Sequence, residues 1–113
     1  MIRKAEEMKS VREPNLKGGK DTVRLVKILE EEEMHGTGRL FAISIIPPGG
    51  SIGRHTHSGD FETYYILKGR ALVNDNGTVK ELKPGDMTQC KDGDYHAIEN
   101  IGNEDLEYLA VIL

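Results

Sequence analysis

The stretch Gly49-Gly50-Ser51-Ile52-Gly53-Arg54-His55-Thr56-His57-Ser58-Gly59-Asp60-Phe61-Glu62-Thr63-Tyr64-Tyr65-Ile66-Leu67-Lys68-Gly69 decides how this chain is read. In His55-Thr56-His57 on a strand, the two imidazoles project from one face with Cα atoms roughly 6.6 Å apart, twice the rise per residue. They can grip one ion together. Glu62 follows a short turn at Gly59, so an adjacent antiparallel strand can set its carboxylate beside the two rings. In that second strand Glu62, Tyr64 and Ile66 share one face, while Phe61, Thr63, Tyr65 and Leu67 share the other. Both faces carry apolar bulk.

Working outward, turn-forming residues punctuate the chain at Pro47 to Gly50, Gly59, Gly69, Gly77, Pro84-Gly85, Gly93 and Gly102. Roughly 8–12 residues between turns is the rhythm of a sandwich or barrel of short antiparallel strands. The segments between them, Leu40 to Ile46, Phe61 to Leu67, Ala71 to Val73, Met87 to Cys90 and Leu106 to Leu113, read as strands, and none is long enough for a typical helix. Asp75-Asn76-Gly77 is the best local hairpin signal, because Asn and Gly tolerate the positive φ of a tight turn. The last strand is apolar on both faces, which suits a strand covered by a second sheet on one side and a subunit on the other.

Arg24 to Met34 reads as a helix or as a strand ending in a charged turn, and a strand from about Thr22 to Leu29 is favoured. The run Glu30 to Glu33 is expected to be a solvated surface. Residues 1–20 are expected to form an extended, mobile N-terminal segment with one helical turn around Ala5 to Lys9.

His96, following Gly93, adds a third imidazole from a distant hairpin. Three neutral nitrogens and one carboxylate oxygen match manganese, iron, cobalt, nickel or zinc, and not calcium or magnesium. Taken by itself, a His-x-His pair is more often a surface or packing pair than a metal site. The wider spacing alters that balance: Gly49-x5-His55-x-His57-x4-Glu62-x6-Gly69, then Gly85-x5-Lys91-x-Gly93-x2-His96-x3-Asn100. These resemble the two motifs of the cupin superfamily, with nine of the ten motif residues matched. Lys91 stands where the pattern usually has proline, a residue that stiffens a turn and takes no part in ligation.

The resemblance spans Gly49 to Asn100 and implies an all-β fold, the cupin double-stranded β-helix or jelly-roll barrel. It places the cupin domain at residues 21–113, after the N-terminal segment 1–20. It also implies metal ligands at His55, His57, Glu62 and His96, with Gly49, Gly69, Gly85 and Gly93 at turns. Manganese or iron are the first expectations for the metal, with nickel, cobalt and zinc also compatible. Within the superfamily, Pro47 to Gly53, Tyr64 to Leu67 and Ile98 to Asn100 look like small stand-alone bacterial cupins described as oxalate decarboxylase-like. True oxalate decarboxylases carry two cupin domains and a glutamate on a flexible lid, and no such lid segment is read here.

Around the expected site, Tyr64 shares the inward parity of Glu62 and reads equally as a hydroxyl donor or a core anchor. Asp60 reads first as a turn residue and second as an acceptor orienting a ring N–H. These two are the candidate catalytic residues. Asn100 is expected to bond backbone, His35 to be exposed, Arg54 to point away from the site, and Cys90 to be a buried small hydrophobe.

Composition narrows the partners. One domain is all that 113 residues allow, and no apolar run approaches the roughly 18 residues of a membrane span. A net charge of −4, no tryptophan and only two phenylalanines offer nucleic acid neither a basic footprint nor stacking platforms. The start lacks secretory-signal features and the single cysteine allows no intrachain disulfide, so the cytoplasm is the expected location. A homodimer is expected, with the first residues crossing to a neighbouring subunit. For function the sequence carries three readings: a metal-dependent enzyme acting on a small, oxalate-like carboxylate or related oxygenated compound; a non-catalytic metal- and ligand-binding cupin; and an iron-dependent dioxygenase. An interior judged apolar from Ile66, Val73 and Ile98 is expected to exclude large substrates.

Overall fold

Period-two alternation in the last strand becomes alternating burial: Leu106, Tyr108, Ala110 and Ile112 are buried, while the residues between them are only partly so. A computed structural model describes residues 1–113. Its ten strands are β1 (Ser10–Pro14), β2 (Thr22–Leu29), β3 (Leu40–Ile46), β4 (Ser51–Thr56), β5 (Glu62–Lys68), β6 (Ala71–Asp75), β7 (Thr78–Leu82), β8 (Met87–Cys90), β9 (Tyr95–Asn100) and β10 (Leu106–Ile112). They form a six-stranded sheet, β1-β2-β3-β10-β5-β8, and a four-stranded sheet, β4-β9-β6-β7. Every pairing is antiparallel. This is the jelly-roll barrel that the cupin resemblance implies.

The core draws on both sheets: Val23, Ile46, Tyr64, Ile66, Leu106 and Tyr108 from the larger, Ile52, Ala71, Val73 and Ile98 from the smaller. Burying a Val, Leu or Ile side chain is worth about 1.5–3 kcal/mol, so this contiguous interior supplies the main drive for closing the two sheets. The expected hairpin forms, with Asp75 opposite Thr78 and the intervening Asn76 and Gly77 at φ of +50° and +96°. The helix alternative for Arg24 to Met34 does not form, and β2 spans the favoured Thr22–Leu29.

Two features of the N-terminal third differ from the sequence expectation. Ser10–Pro14 is a strand that pairs with Thr22–Val26 of its own chain. Its only aliphatic residue, Val11, is exposed, so an edge strand of this kind shows no hydrophobic alternation; Pro14 at its end is where an edge tolerates proline. The Glu30–Glu33 run is also more than a solvated face. Glu33 accepts two hydrogen bonds from the Arg3 guanidinium, at 3.0 and 2.8 Å, and Arg3 also donates to the Ile28 carbonyl at 2.8 Å. Arg3 and the backbone N–H of Glu30 hold the Glu33 carboxyl down to about 2. Glu31 and Glu32 are exposed as expected.

The turn at Leu16–Gly18 packs against β4 so closely that two glycines are obligatory. A Cβ on Gly19 would meet the Ser51 carbonyl, and one on Gly53 would meet the Lys17 carbonyl. That contact pins β4 at the point where it begins to build the site.

Candidate metal centre

Between Ile52 and His55 the pairing of β4 with β9 shifts register: Ile52 lies opposite Ile98 and His55 opposite His96. Two residues on β4, Gly53 and Arg54, therefore lie opposite one on β9, Ala97, a bulge that turns both Ile52 and His55 inward despite their odd separation. His57 lies just past β4. Its N–H donates to Asp94 at 3.0 Å, and its carbonyl accepts from Gly93 at 2.7 Å. Glu62 opens β5 in the other sheet and is buried. The two sheets thus deliver four ligand-type side chains to one end of the barrel.

Their donor atoms lie within 4.8 Å of one another. His96 Nε2 is 3.0 Å from His55 Nε2 and 3.2 Å from His57 Nε2. Glu62 Oε1 is 3.1 Å from His96 Nε2, 3.2 Å from His57 Nε2 and 4.0 Å from His55 Nε2. Hydrogen bonds on the far side of two rings decide what those nitrogens offer. His55 Nδ1 lies 2.8 Å from the Gly53 carbonyl and His57 Nδ1 lies 2.7 Å from Asp60 Oδ1, and both oxygens can only accept. Both rings therefore donate from Nδ1, and in the neutral form each presents a bare Nε2 lone pair to the cluster. Two lone pairs and a carboxylate converge with at most one imidazole proton, on His96 Nε2, to share. A cation resolves that crowding of electron density, and this donor set fits a divalent transition metal.

The titration behaviour has the same origin. Burial opposes the charge on Glu62, yet the three histidines outweigh it and hold the carboxyl well below the usual range. The Glu62 hydrogen bond raises His57 above an ordinary imidazole against the opposing effect of burial, and Asp60 adds to the rise.

Tyr64 combines both roles weighed from the sequence. Its ring stacks on His96 with centroids 4.9 Å apart and packs at a tilt against Tyr108 with centroids 4.5 Å apart, anchoring the core. Its hydroxyl reaches to 3.4 Å from His96 Nε2. Burial raises it well above the ordinary phenol, so the hydroxyl stays a donor.

Asp60 departs from its favoured assignment as a turn residue. It accepts from His57 Nδ1 and, through Oδ2, from Arg39 Nε at 2.7 Å, so it orients a ring of the cluster. Position 60 follows the turn and gives no parity signal, and Arg39 comes from a distant loop, which is why spacing alone did not reveal the pair. Elsewhere, Arg54 points outward and stacks over Tyr95 at 3.6 Å, and His35 is exposed. Asn100 bonds backbone, donating to the Ile46 and Glu104 carbonyls at 2.8 Å each and accepting from Gly102. Cys90 is buried, with its thiol pushed up by that burial to about 11.

A cavity of about 340 Å³ opens onto His55, His57, Glu62 and Tyr64. Its wall also includes Ser44, Tyr108, Lys17, Lys27, Glu31 and Arg39. That volume is wider than the closely apolar interior expected from Ile66, Val73 and Ile98. Ser44 was legible in principle: it breaks an apolar inward face between Ala42 and Ile46.

The match to known proteins agrees with this architecture. Residues 42–112 fit the family model described as a cupin domain, and the chain belongs to the cupin family. Over 113 residues it is 45% identical to the oxalate-binding protein of Thermotoga maritima, covering 100% of this chain and 93% of that protein. It is 34% identical over 90 residues to an uncharacterized protein of Methanocaldococcus jannaschii, covering 80% of this chain and 72% of that one. A crystal structure from Thermotoga maritima, described as a predicted oxalate decarboxylase, aligns with a TM-score of 0.95 at 45% identity, over 100% of this chain and 98% of that chain.

Proposed function

We propose that this cupin holds a divalent transition metal, manganese or iron first, on His55, His57, Glu62 and His96, and uses it to bind a small oxalate-like carboxylate. The observation that carries this reading is the convergence of three imidazole Nε2 atoms on Glu62 Oε1, with two of the rings locked by hydrogen bonds at Nδ1. The metal supplies the positive charge that attracts carboxylate oxygens, and four protein donors leave room on such an ion for a chelating acid. This chain's residues do the rest. Asp60 fixes the His57 ring, the Tyr64 hydroxyl stands ready to donate to a bound oxygen, and the apolar wall of Ile52, Leu40 and Ile112 limits water and strengthens the attraction. The oxalate-binding name of the Thermotoga maritima relative supports the same ligand class. Tyr64 and Asp60 are the candidates for proton handling.

Calorimetric titration of oxalate into manganese-loaded and metal-free protein tests the reading. Metal-dependent 1:1 binding is expected, and equal affinity for the two forms refutes it. Release of CO₂ or H₂O₂, or uptake of oxygen, marks a catalytic site, and binding without turnover marks a binding protein.

The same reading includes a homodimer in the cytoplasm, where a free buried Cys90 suits a reducing compartment. Val26, Ile43, Leu109, Tyr65 and Met87 form one register row across five strands on the outer face of the six-stranded sheet. An apolar row of that length is a surface for a second copy to cover. Light scattering is expected to return twice the 12.6 kDa chain mass, and a monomer at micromolar concentration contradicts it.

A further inference from the structure

We infer that the cavity is bipartite: beyond the metal cluster, Lys27, Ser44 and Tyr108 form a second polar subsite that takes the far end of an elongated acid. This rests on the metal-and-carboxylate reading above and extends it to substrate class.

Size is the first ground. Oxalate fills roughly the space of three waters at about 30 Å³ each, and the cavity is about 340 Å³, within the range of sites for larger ligands. An acid chelated at the metal end leaves most of that volume to be filled.

The second ground is a pair of buried hydroxyls that the protein does not fully satisfy. Ser44 is 1% exposed and Tyr108 is 0% exposed, both line the cavity, and neither hydroxyl makes a hydrogen bond of good geometry within the protein, although Tyr108 lies near enough to Ser44 and Tyr64 to interact with them. They are direct cross-strand partners in the pairing of β3 with β10. A buried hydroxyl left unpaired costs about 1–3 kcal/mol. The two hydroxyls can share at most one hydrogen bond between them, which leaves one O–H for an occupant of the cavity to accept. Apolar content cannot do so, whereas a carboxylate, carbonyl or hydroxyl on a ligand can replace water there.

Charge is the third ground. Lys27 points inward from β2, opposite the buried Ala42, which is followed in the same register row by Ala110 and then Tyr64. Two alanines between Lys27 and Tyr64 leave the floor of the cavity low. Lys27 lines the same cavity as His55, His57 and Glu62 and takes part in no salt bridge. Of the other charged groups on the wall, Arg39 is paired with Asp60, while Lys17 and Glu31 are exposed. An ammonium without a salt-bridge partner, lining the same cavity as these two hydroxyls, favours an anionic or strongly accepting group.

The chemical class that satisfies both ends is a 2-oxo or 2-hydroxy acid with a second carboxylate a few atoms away. Its head chelates through the same two-oxygen bite as oxalate, and its tail reaches the hydroxyls and the lysine.

The test compares two acids with identical heads on manganese-loaded protein: 2-oxoglutarate, and 2-oxopentanoate, which lacks the distal carboxylate. By calorimetry, 2-oxoglutarate is expected to bind at least about tenfold more tightly, the scale of one charge-assisted hydrogen bond. Lys27→Met is expected to erase most of that preference while changing oxalate affinity less than about threefold. Tyr108→Phe is expected to reduce it by several-fold while changing the melting temperature of the metal-free protein only slightly, because the hydroxyl it removes makes no hydrogen bond of good geometry there. Equal affinity for the two acids, or a preference untouched by both variants, overturns the second subsite while metal-dependent oxalate binding leaves the first reading standing. Failure of oxalate and both oxo acids to bind the metal-loaded protein overturns the reading on which the subsite rests.

Discussion

Replacing Asp60 by alanine separates a residue that tunes the metal centre from one that only shapes a turn. In the native protein Asp60 accepts the His57 Nδ1 proton at 2.7 Å and the Arg39 Nε proton at 2.7 Å. The first bond fixes the His57 tautomer and ring angle, and losing such a partner costs a metal site about 10–100-fold in affinity. At 1.36 kcal/mol per tenfold, that is about 1.4–2.7 kcal/mol. The Arg39 bond contributes little by itself, because the arginine is 55% exposed and such pairs are worth about 0–1 kcal/mol. A graded series follows. Asp60→Ala is expected to weaken metal binding 10–100-fold, Asp60→Asn less than about tenfold because the amide oxygen still accepts, and Arg39→Met by no more than about threefold. The assay is competition with a chelator of known affinity at pH 8, where proton competition for the imidazoles is small. Wild-type affinity in Asp60→Ala refutes the reasoning. So does an equal loss in Arg39→Met, which would locate the effect in the loop and not in the ring.

Three further outcomes follow from particular contacts. Because Glu62 raises the His57 pKa in the metal-free protein, the protonated pair contributes stability that is fully present below about 6.5 and is lost as pH rises through the folded value. The metal-free melting temperature is therefore expected to fall across that window while metal affinity rises, each measured by thermal shift and chelator competition from pH 5 to 9. Gly53→Ala forces a Cβ against the Lys17 carbonyl and is expected to cost about 1–3 kcal/mol by denaturant unfolding and to weaken metal binding, since the Gly53 carbonyl orients His55. Asn100→Ala leaves the Ile46 and Glu104 carbonyls and the Gly102 N–H without their partner and is expected to destabilise by about 2–4 kcal/mol with metal affinity preserved.

Strand alternation and turn spacing made most of the barrel legible, because a half-buried strand writes its burial into every second residue. β10, β5 and the Asn76-Gly77 hairpin are clear instances. β1 was not legible: an exposed edge strand with one aliphatic residue has no buried face to record, and its place is held by backbone pairing and by Arg3 on Glu33. At the site, His55, His57, Glu62 and His96 were readable because side-chain type and spacing carry their chemistry locally. The bulge at Gly53–Arg54 was not, since it is a property of pairing with β9 and not of β4 alone. For the same reason Asp60, Arg39, Lys27 and Tyr108 gain their meaning only from neighbours distant in sequence. Tyr108 in particular reads as one more inward aromatic until the empty side of its hydroxyl is seen.

Metal content of the wild type and of four single variants, His55→Ala, His57→Ala, Glu62→Ala and His96→Ala, tests the central claim most directly. Each protein is loaded with excess manganese, desalted, and assayed by mass spectrometry for metal per chain. About one metal per folded chain is expected in the wild type, with a large loss in every variant, together with loss of the metal-dependent rise in melting temperature. A folded His96→Ala protein that retains the wild-type stoichiometry and thermal shift contradicts the four-residue centre.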